Sequence, residues 1–334
     1  MKRHIFLLTS ALLPLLLLSS CNADLRELCY DHTHSWGSSG NVMLRLNLQL
    51  DLDLNFPVSI EAHTKILTPT YMKACFYDIN DGHLVKTEYV GTYGGPVSLP
   101  PGTYDMVVYT FGTEWTQIRG ESHKSTLEAF TSDITDLKAA TFAAVTRGGE
   151  AGTDTDVPII YTPDHLLVAK ERIVVPVATE ENQVITITSS ATTILETYCF
   201  ELTNVQGLQY IQTVDAFVTN QARSSFFGRG EVNPQAAIIN FPVEVDRTQG
   251  IMRTTFNTFG KLPGETHSYL HIVLVSSGGD VITVSTDITD QFDNPDHEIV
   301  IDVPIDVPQP QSEGGGIAPS VDPWDEENHD VPIG

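Results

Sequence analysis

The chain has 334 residues, 43 acidic and 18 basic, for a formal net charge of −25 at pH 7. So negative a body repels nucleic acid and anionic lipid head groups, which excludes both as partners of its surface. The hydrophobic share of 41% supports buried cores, and the length suits two domains of ordinary size.

The first element is a leader. Lys2 and Arg3 precede an apolar run from Ile5 to Leu18 in which only Thr9 and Ser10 are polar. A basic start, an apolar middle too short to span a bilayer and small residues at the cut make a secretory signal, here residues 1–20. Because the cut falls at Leu17-Leu18-Ser19-Ser20-Cys21, the segment resembles a bacterial lipoprotein signal, or lipobox. That resemblance implies diacylglycerol on the Cys21 thiol, cleavage that frees its amine, and a further acyl chain such as palmitate. Two or more chains suffice for stable anchoring, at about 0.8 kcal/mol per buried methylene. The alternative is an ordinary secretory signal followed by an unrelated cysteine. No later segment is apolar enough to cross a membrane as a helix.

Residues 21–40 read as lipid anchor and linker. From 42 to 56 the chain then alternates, with Val42, Leu44, Leu46, Leu48, Leu50, Leu52, Leu54 and Phe56 on one face. Arg45, Asn47, Gln49, Asp51, Asp53 and Asn55 take the other, so a long strand with one buried and one wet face is predicted. Strands are also predicted over 71–79, 84–90, 104–111 and 115–118, separated by turns at Asn80-Asp81-Gly82, Gly94-Gly95-Pro96 and Pro100-Pro101-Gly102. Residues 133–145 are the one stretch with the pattern of a short helix, and 147–156, with Gly148, Gly149 and Gly152, read as a loop.

A second series of predicted strands covers 172–177, 183–188, 197–204, 210–219, 236–245, 252–259, 269–276, 281–288 and 298–303. Short, evenly spaced strands with turn residues between them indicate antiparallel sandwiches. The expected organisation is an N-terminal β-sandwich over 41–163, a C-terminal β-sandwich over 164–305 with the boundary at Thr162-Pro163-Asp164, and an acidic Pro/Gly tail over 306–334. That tail mixes Pro308, Pro310, Pro319, Pro323 and Pro332 with Glu313, Asp322, Asp325, Glu326 and Glu327 and reads as disordered.

Few residues carry chemistry. Cys29, Cys75 and Cys199 remain beside the acylated cysteine, an odd number in a compartment that permits disulfides. Cys75 and Cys199 lie in strand-like apolar runs, where a free thiol packs as a small hydrophobe; a Cys29–Cys75 bridge is the alternative. His32 and His34 would share one face of a strand as metal ligands do, but Cys29 falls on the other face and no fourth ligand is visible, so a solvated linker pair is favoured. Asp287, Asp290, Asp293 and Asp296 suggest a calcium loop, yet its glycine and terminal glutamate are missing and turn initiation is favoured. Ser122-His123 and Glu180-Glu181 lack the partners of a catalytic set, and no GxSxG, HExxH or phosphate-binding loop occurs. Trp36, Trp115 and Trp324 are scattered, with Trp115 reading as core. The expectation is a non-enzyme with no cofactor and no metal.

With the lipobox, the segments Leu99-Pro100-Pro101-Gly102-Thr103-Tyr104-Asp105, Pro163-Asp164 and Thr197-Tyr198-Cys199-Phe200-Glu201-Leu202 follow in order. Phe256-Asn257-Thr258-Phe259-Gly260, Thr286-Asp287-Ile288-Thr289-Asp290-Gln291 and the strand at 298–303 complete the set. In this order the chain resembles the fimbrillin-like lipoproteins of Bacteroidales, in particular the minor-fimbrium anchor type. The resemblance implies two transthyretin-like β-sandwich domains, an all-β fold. It also implies a lipid-anchored protein of the outer membrane that anchors, caps or forms part of a fimbrium (pilus) and supports cell adhesion. Its partners would then be fimbrial subunits held by strand addition, and the membrane through lipid. Polymerising members of the family are cut by an arginine-specific protease. The one obvious loop arginine here is Arg147, where a cut would remove nearly a whole domain, so the anchor reading is favoured. Acidic residues soon after the acylated cysteine favour surface export in the family; Asp24 and Glu27 stand there, unclustered. The rival reading is a surface glycan-binding lipoprotein that uses exposed aromatic rings.

Overall fold

The computed structural model describes residues 41–51, 69–135, 142, 157–179, 183–265 and 267–310. Strand β1 (Val42–Leu50) follows the sequence alternation: Val42, Leu44, Leu46 and Leu48 are buried, while Arg45, Asn47 and Gln49 are exposed. A slip of one residue would turn all four apolar chains outward at a cost on the order of 6–12 kcal/mol, so the register is fixed. The strand ends at Leu50, and positions 52–56 of the expected strand lie outside the described residues.

Strands β2 (Tyr71–Asp78), β3 (Leu84–Gly91), β4 (Gly94–Leu99) and β5 (Gly102–Thr110) follow. The turn expected at Gly94-Gly95-Pro96 is instead the start of β4, which pairs antiparallel with β1. Gly94 has φ +99°, and a Cβ there would stand 2.2 Å from the Leu46 carbonyl oxygen, so only glycine lets the two backbones meet. Pro96 is tolerated because β4 is paired along its length on the β1 side alone. The strand expected at 115–118 is the shorter β6 (Gln117–Arg119), with Trp115 and Thr116 in the loop before it. Next come β7 (Glu128–Phe130), absent from the sequence reading, and β8 (Ile159–Tyr161). Of the expected 133–145 helix, Phe142 is helical, Asp133 bridges to Ile160, and positions 136–141 and 143–145 lie outside the described residues.

Strands β9 (Leu167–Val175) and β10 (Val184–Thr193) overturn the expected division at residue 163. They follow that point in the chain yet complete the first sandwich: β9 pairs with β5, and β10 runs parallel to β1. The result is a closed ring of order β1-β10-β9-β5-β2-β3-β4. Two of its seams are thin, the single Gly91–Gly94 pair and two pairs between β9 and β10, so it is a flattened sandwich around Leu44, Phe76, Leu99, Met106 and Val108.

The rest of the chain runs through β11 (Glu196–Gln206), β12 (Ile211–Ala222), β13 (Ser224–Phe226), β14 (Glu231–Val232), β15 (Ala236–Pro242), β16 (Glu244–Asp246), β17 (Ile251–Thr258), β18 (Tyr269–Ser276) and β19 (Val281–Asp287). A one-turn helix α1 (Thr289–Phe292) and β20 (Glu298–Asp306) close it. Sheet β16-β17-β11-β20 packs on sheet β19-β18-β12-β15-β8 over Phe200, Leu202, Phe241, Phe256, Ile272 and Ile299. Strand β8, which precedes residue 163, belongs to this second sandwich. The fold is therefore all-β with two sandwiches, as expected, but the chain passes between them three times.

Candidate docking surfaces

The exchange of strands creates a junction. Sheet β14-β13-β7-β6 takes strands from both sides of residue 163. Under it, Cys75, Tyr77, Val107 and Tyr109 on the outer face of the first sandwich pack with Leu127, Ala129, Leu166, Ala222, Phe227 and Phe259. Glu128 stitches the sheet: it accepts from Arg119 at 2.6 and 3.0 Å and from the Ser224 hydroxyl, which in turn accepts from Asn233 at 2.9 Å. Burial pushes the Glu128 pKa up, but the bonds from Arg119 and Ser224 and the Arg119 charge outweigh it and hold the carboxyl below the usual range. Pro163-Asp164, expected at the domain boundary, is a strut. The Asp164 carboxylate accepts the Trp115 and Thr116 N–H groups at 2.5 and 3.2 Å, and the Pro163 carbonyl accepts from Asn257 Nδ2 at 2.8 Å. Trp115 stacks on Tyr161 at 4.1 Å, half-buried in this joint.

Strand β2 divides its side chains by period two. Met72, Ala74 and Phe76 enter the first core, and Tyr71, Lys73, Cys75 and Tyr77 face the other way. The junction covers Cys75 and Tyr77 but stops short of Tyr71, which is 60% exposed. Across the ladder, Lys73 pairs with Tyr89 (62% exposed), whose ring lies 5.3 Å from that of Phe111. Lys73 Nζ sits 5.8 Å from the Tyr89 ring centre and is fixed by Glu121 at 2.6 Å. Tyr109 also donates to Glu121, so that carboxyl stays below the usual range although burial acts against it. This aromatic strip escaped the sequence reading, which weighed tryptophans. Alternation in β2 places Tyr71 with Lys73, but only the ladder brings Tyr89 and Phe111 beside them.

Strand edges are the other surfaces a partner can use. Most are guarded. Strand β20 carries Asp302, Pro304 and Asp306, and its Val300 N–H is taken by Gln291 Oε1 at 2.7 Å. Strand β8 is covered by the Asp133 bridge to Ile160 and by the Ile134 N–H on the Ile159 carbonyl at 2.7 Å. On β4, Lys86 Nζ holds the Ser98 carbonyl at 2.7 Å. Among the described residues, strand β19 carries no such guard.

The sequence candidates divide. Cys21, Cys29, His32, His34, Trp36, Arg147, Glu180, Glu181 and Trp324 lie outside the described residues. Cys75 and Cys199 are buried free thiols, as favoured. Burial pushes both pKa values up, Cys199 to about 12, so neither is a thiolate at neutral pH. Of the aspartate series, Asp287 serves a turn by accepting from the Thr289 N–H at 2.9 Å, and Asp293 pairs with Lys261 at 2.8 Å. His123 caps a short 3-10 turn, taking the Ser125 N–H on Nδ1 at 3.1 Å. Among the described residues no group of three or more His, Cys, Asp or Glu side chains converges as a metal site requires, and no helix is long and apolar enough to cross a membrane.

Comparison with known proteins places this architecture. Residues 20–242 match a family model described as Domain of unknown function (DUF5119). Over 305 residues the chain is 25% identical to a Bacteroides ovatus protein named "Putative fimbrium anchoring subunit Fim4B", covering 79% of this chain and 85% of that one. A crystal structure from Bacteroides ovatus, described as a putative adhesin, superposes with a TM-score of 0.55 at 21% identity, over 88% of this chain and 99% of that chain. The fimbrial anchor protein Mfa2 from Porphyromonas gingivalis overlaps more weakly, with a TM-score of 0.44 at 12% identity over 78% of this chain and 90% of that one. The Bacteroides ovatus fimbrium anchoring subunit is of the kind that the sequence resemblance points to.

Proposed function

The chain belongs to the DUF5119 family, and we propose that it is a non-enzymatic outer-membrane lipoprotein that anchors, caps or forms part of a fimbrium and so supports cell adhesion. The observation that carries this reading is the match over 79% of the chain to a protein named as a fimbrium anchoring subunit. The geometry suits the task. An anchor must pass tension from a lipid at one end to a filament at the other, and here the chain crosses between sandwiches three times through a shared sheet and core. Pulling the halves apart must shear paired strands rather than extend a linker. In this reading Cys21 bears the lipid, and fimbrial subunits bind by adding a strand to an open edge.

Replacing Cys21 by serine tests the tether. The expected result is protein and filaments shed into the medium; filament number, length and attachment unchanged from wild type would sink the anchor role. A second reading, glycan binding at the surface, is favoured by the strip of Tyr71, Tyr89 and Phe111, whose exposed rings can stack on sugar faces. A glycan array probed with the wild-type protein and with Tyr71→Ala/Tyr89→Ala separates the two: signal that vanishes in the variant supports it, and a blank array removes it.

A further inference from the structure

The geometry points to β19 as the edge that accepts a strand from another polypeptide, one with a β-branched middle and basic flanks. This rests on the fimbrial reading above and assigns its contact. Among the described residues, strand β19 is the outermost of five and pairs with β18 alone. The phase of that ladder is fixed at both ends, because Ser276 N–H donates to the Asp280 carbonyl at 2.8 Å and Ile288 N–H to the Ser268 carbonyl at 2.9 Å. In an antiparallel ladder bonded pairs recur at every second residue. Ile282, Val284 and Thr286 therefore spend their backbone groups on β18, and those of Val281, Thr283, Ser285 and Asp287 point outward along the open edge.

The side chains favour the same use. Val281-Ile282-Thr283-Val284-Ser285-Thr286 contains no proline, lysine or other in-strand charge, the devices by which edges are ordinarily blunted. Ile282 and Val284 are only partly buried at the rim of the second core, so alternate apolar residues of an added strand would cover them. Strand β10 has a similar run, Val184-Ile185-Thr186-Ile187-Thr188, but it lies within the closed ring, between β1 and β9.

Charge selects the partner. Asp280 stands at one end of β19 and Asp287 and Asp290 at the other, and neither β18 nor β19 contains a lysine or arginine. Antiparallel pairing with a second copy of this chain would bring Asp287 of one beside Asp280 of the other, which like-charge repulsion disfavours. A strand with Lys or Arg at both ends meets the opposite sign.

The test uses full-length protein in detergent and labelled peptides read by fluorescence anisotropy. The probe is Lys-Lys-Thr-Val-Thr-Ile-Thr-Val-Thr-Lys-Lys, with a control that replaces every lysine by glutamate. Thr283→Pro removes an outward N–H and leaves the β18 ladder intact, while Thr283→Lys guards the edge with the backbone unchanged. Saturable binding of the basic peptide, weakened about tenfold or more by each variant and by the acidic flanks, is expected. No binding by wild type, or equal binding by wild type and Thr283→Lys, overturns the assignment. In cells, filaments held normally by Thr283→Lys but shed by Cys21→Ser would overturn β19 and keep the anchor. Peptide binding as expected, with filaments unmoved by Cys21→Ser, would keep β19 and remove the anchor.

Discussion

Two buried side chains set how the junction and the second sandwich respond to pH and mutation. Glu128 is 4% exposed and joins β6, β7 and β13 through one carboxylate. Removing it leaves Arg119 and the Ser224 hydroxyl without their acceptor, so Glu128→Ala should cost about 2–4 kcal/mol, read as a lower urea midpoint. Because its folded pKa is depressed, the stability it adds is full above the ordinary glutamate value of about 4.3 and is lost as pH falls through the lower folded value. His271, 2% exposed, meets Ser285 Oγ through Nδ1 at 2.8 Å, and its Nε2 has no hydrogen-bond partner among the described residues. Burial holds its pKa below the usual value, so the folded state resists the proton that the unfolded chain accepts. Stability should decline as pH drops from about 6.5 toward the lower folded value. His271→Phe should flatten that part of the profile in thermal melts from pH 7 to pH 5; a slope identical to wild type would show that another group sets it.

At the scale of elements, the thin seams of the first sandwich are its sensitive points. The ring closes between β3 and β4 through one pair of glycines, and Gly94 is the residue whose missing Cβ lets β4 reach β1. Gly94→Ala should destabilise by about 2 kcal/mol or more, through both the positive φ and the close carbonyl, and calorimetry would read it as a lower Tm. The same glycines hid β4 from the sequence, since Gly-Gly-Pro scores as a turn wherever it occurs. Strand β1 was legible because its alternation is local and nearly perfect. Strands β7 and β8, each three residues long, carry too few positions for a period to show.

For the whole molecule, the consequence of interleaving is cooperativity. Two sandwiches on a linker would unfold separately, whereas here β8 and β9 each sit in the sandwich that the bulk of their neighbours in sequence do not. A single calorimetric transition is expected, shifted as a whole by Glu128→Ala. Two resolved transitions, one of them indifferent to that substitution, would contradict it. The sequence boundary at Thr162-Pro163-Asp164 failed because composition marks breaks between strands, and these residues do separate β8 from β9, but inside a bonded joint.

The sequence by itself determined the strand content, the buried faces and the acidic surface, and it supplied the cysteine on which the proposed tether depends. Those properties follow from side-chain type and period, which are local. The tertiary structure alone decided which strands are neighbours, that the halves share strands, and which edge the described residues leave open. Backbone hydrogen bonds join strands whatever their side chains, so partners far apart in the chain are chosen by packing. An aromatic strip such as Tyr71, Tyr89 and Phe111, or an unpaired edge such as β19, exists only once that choice has been made.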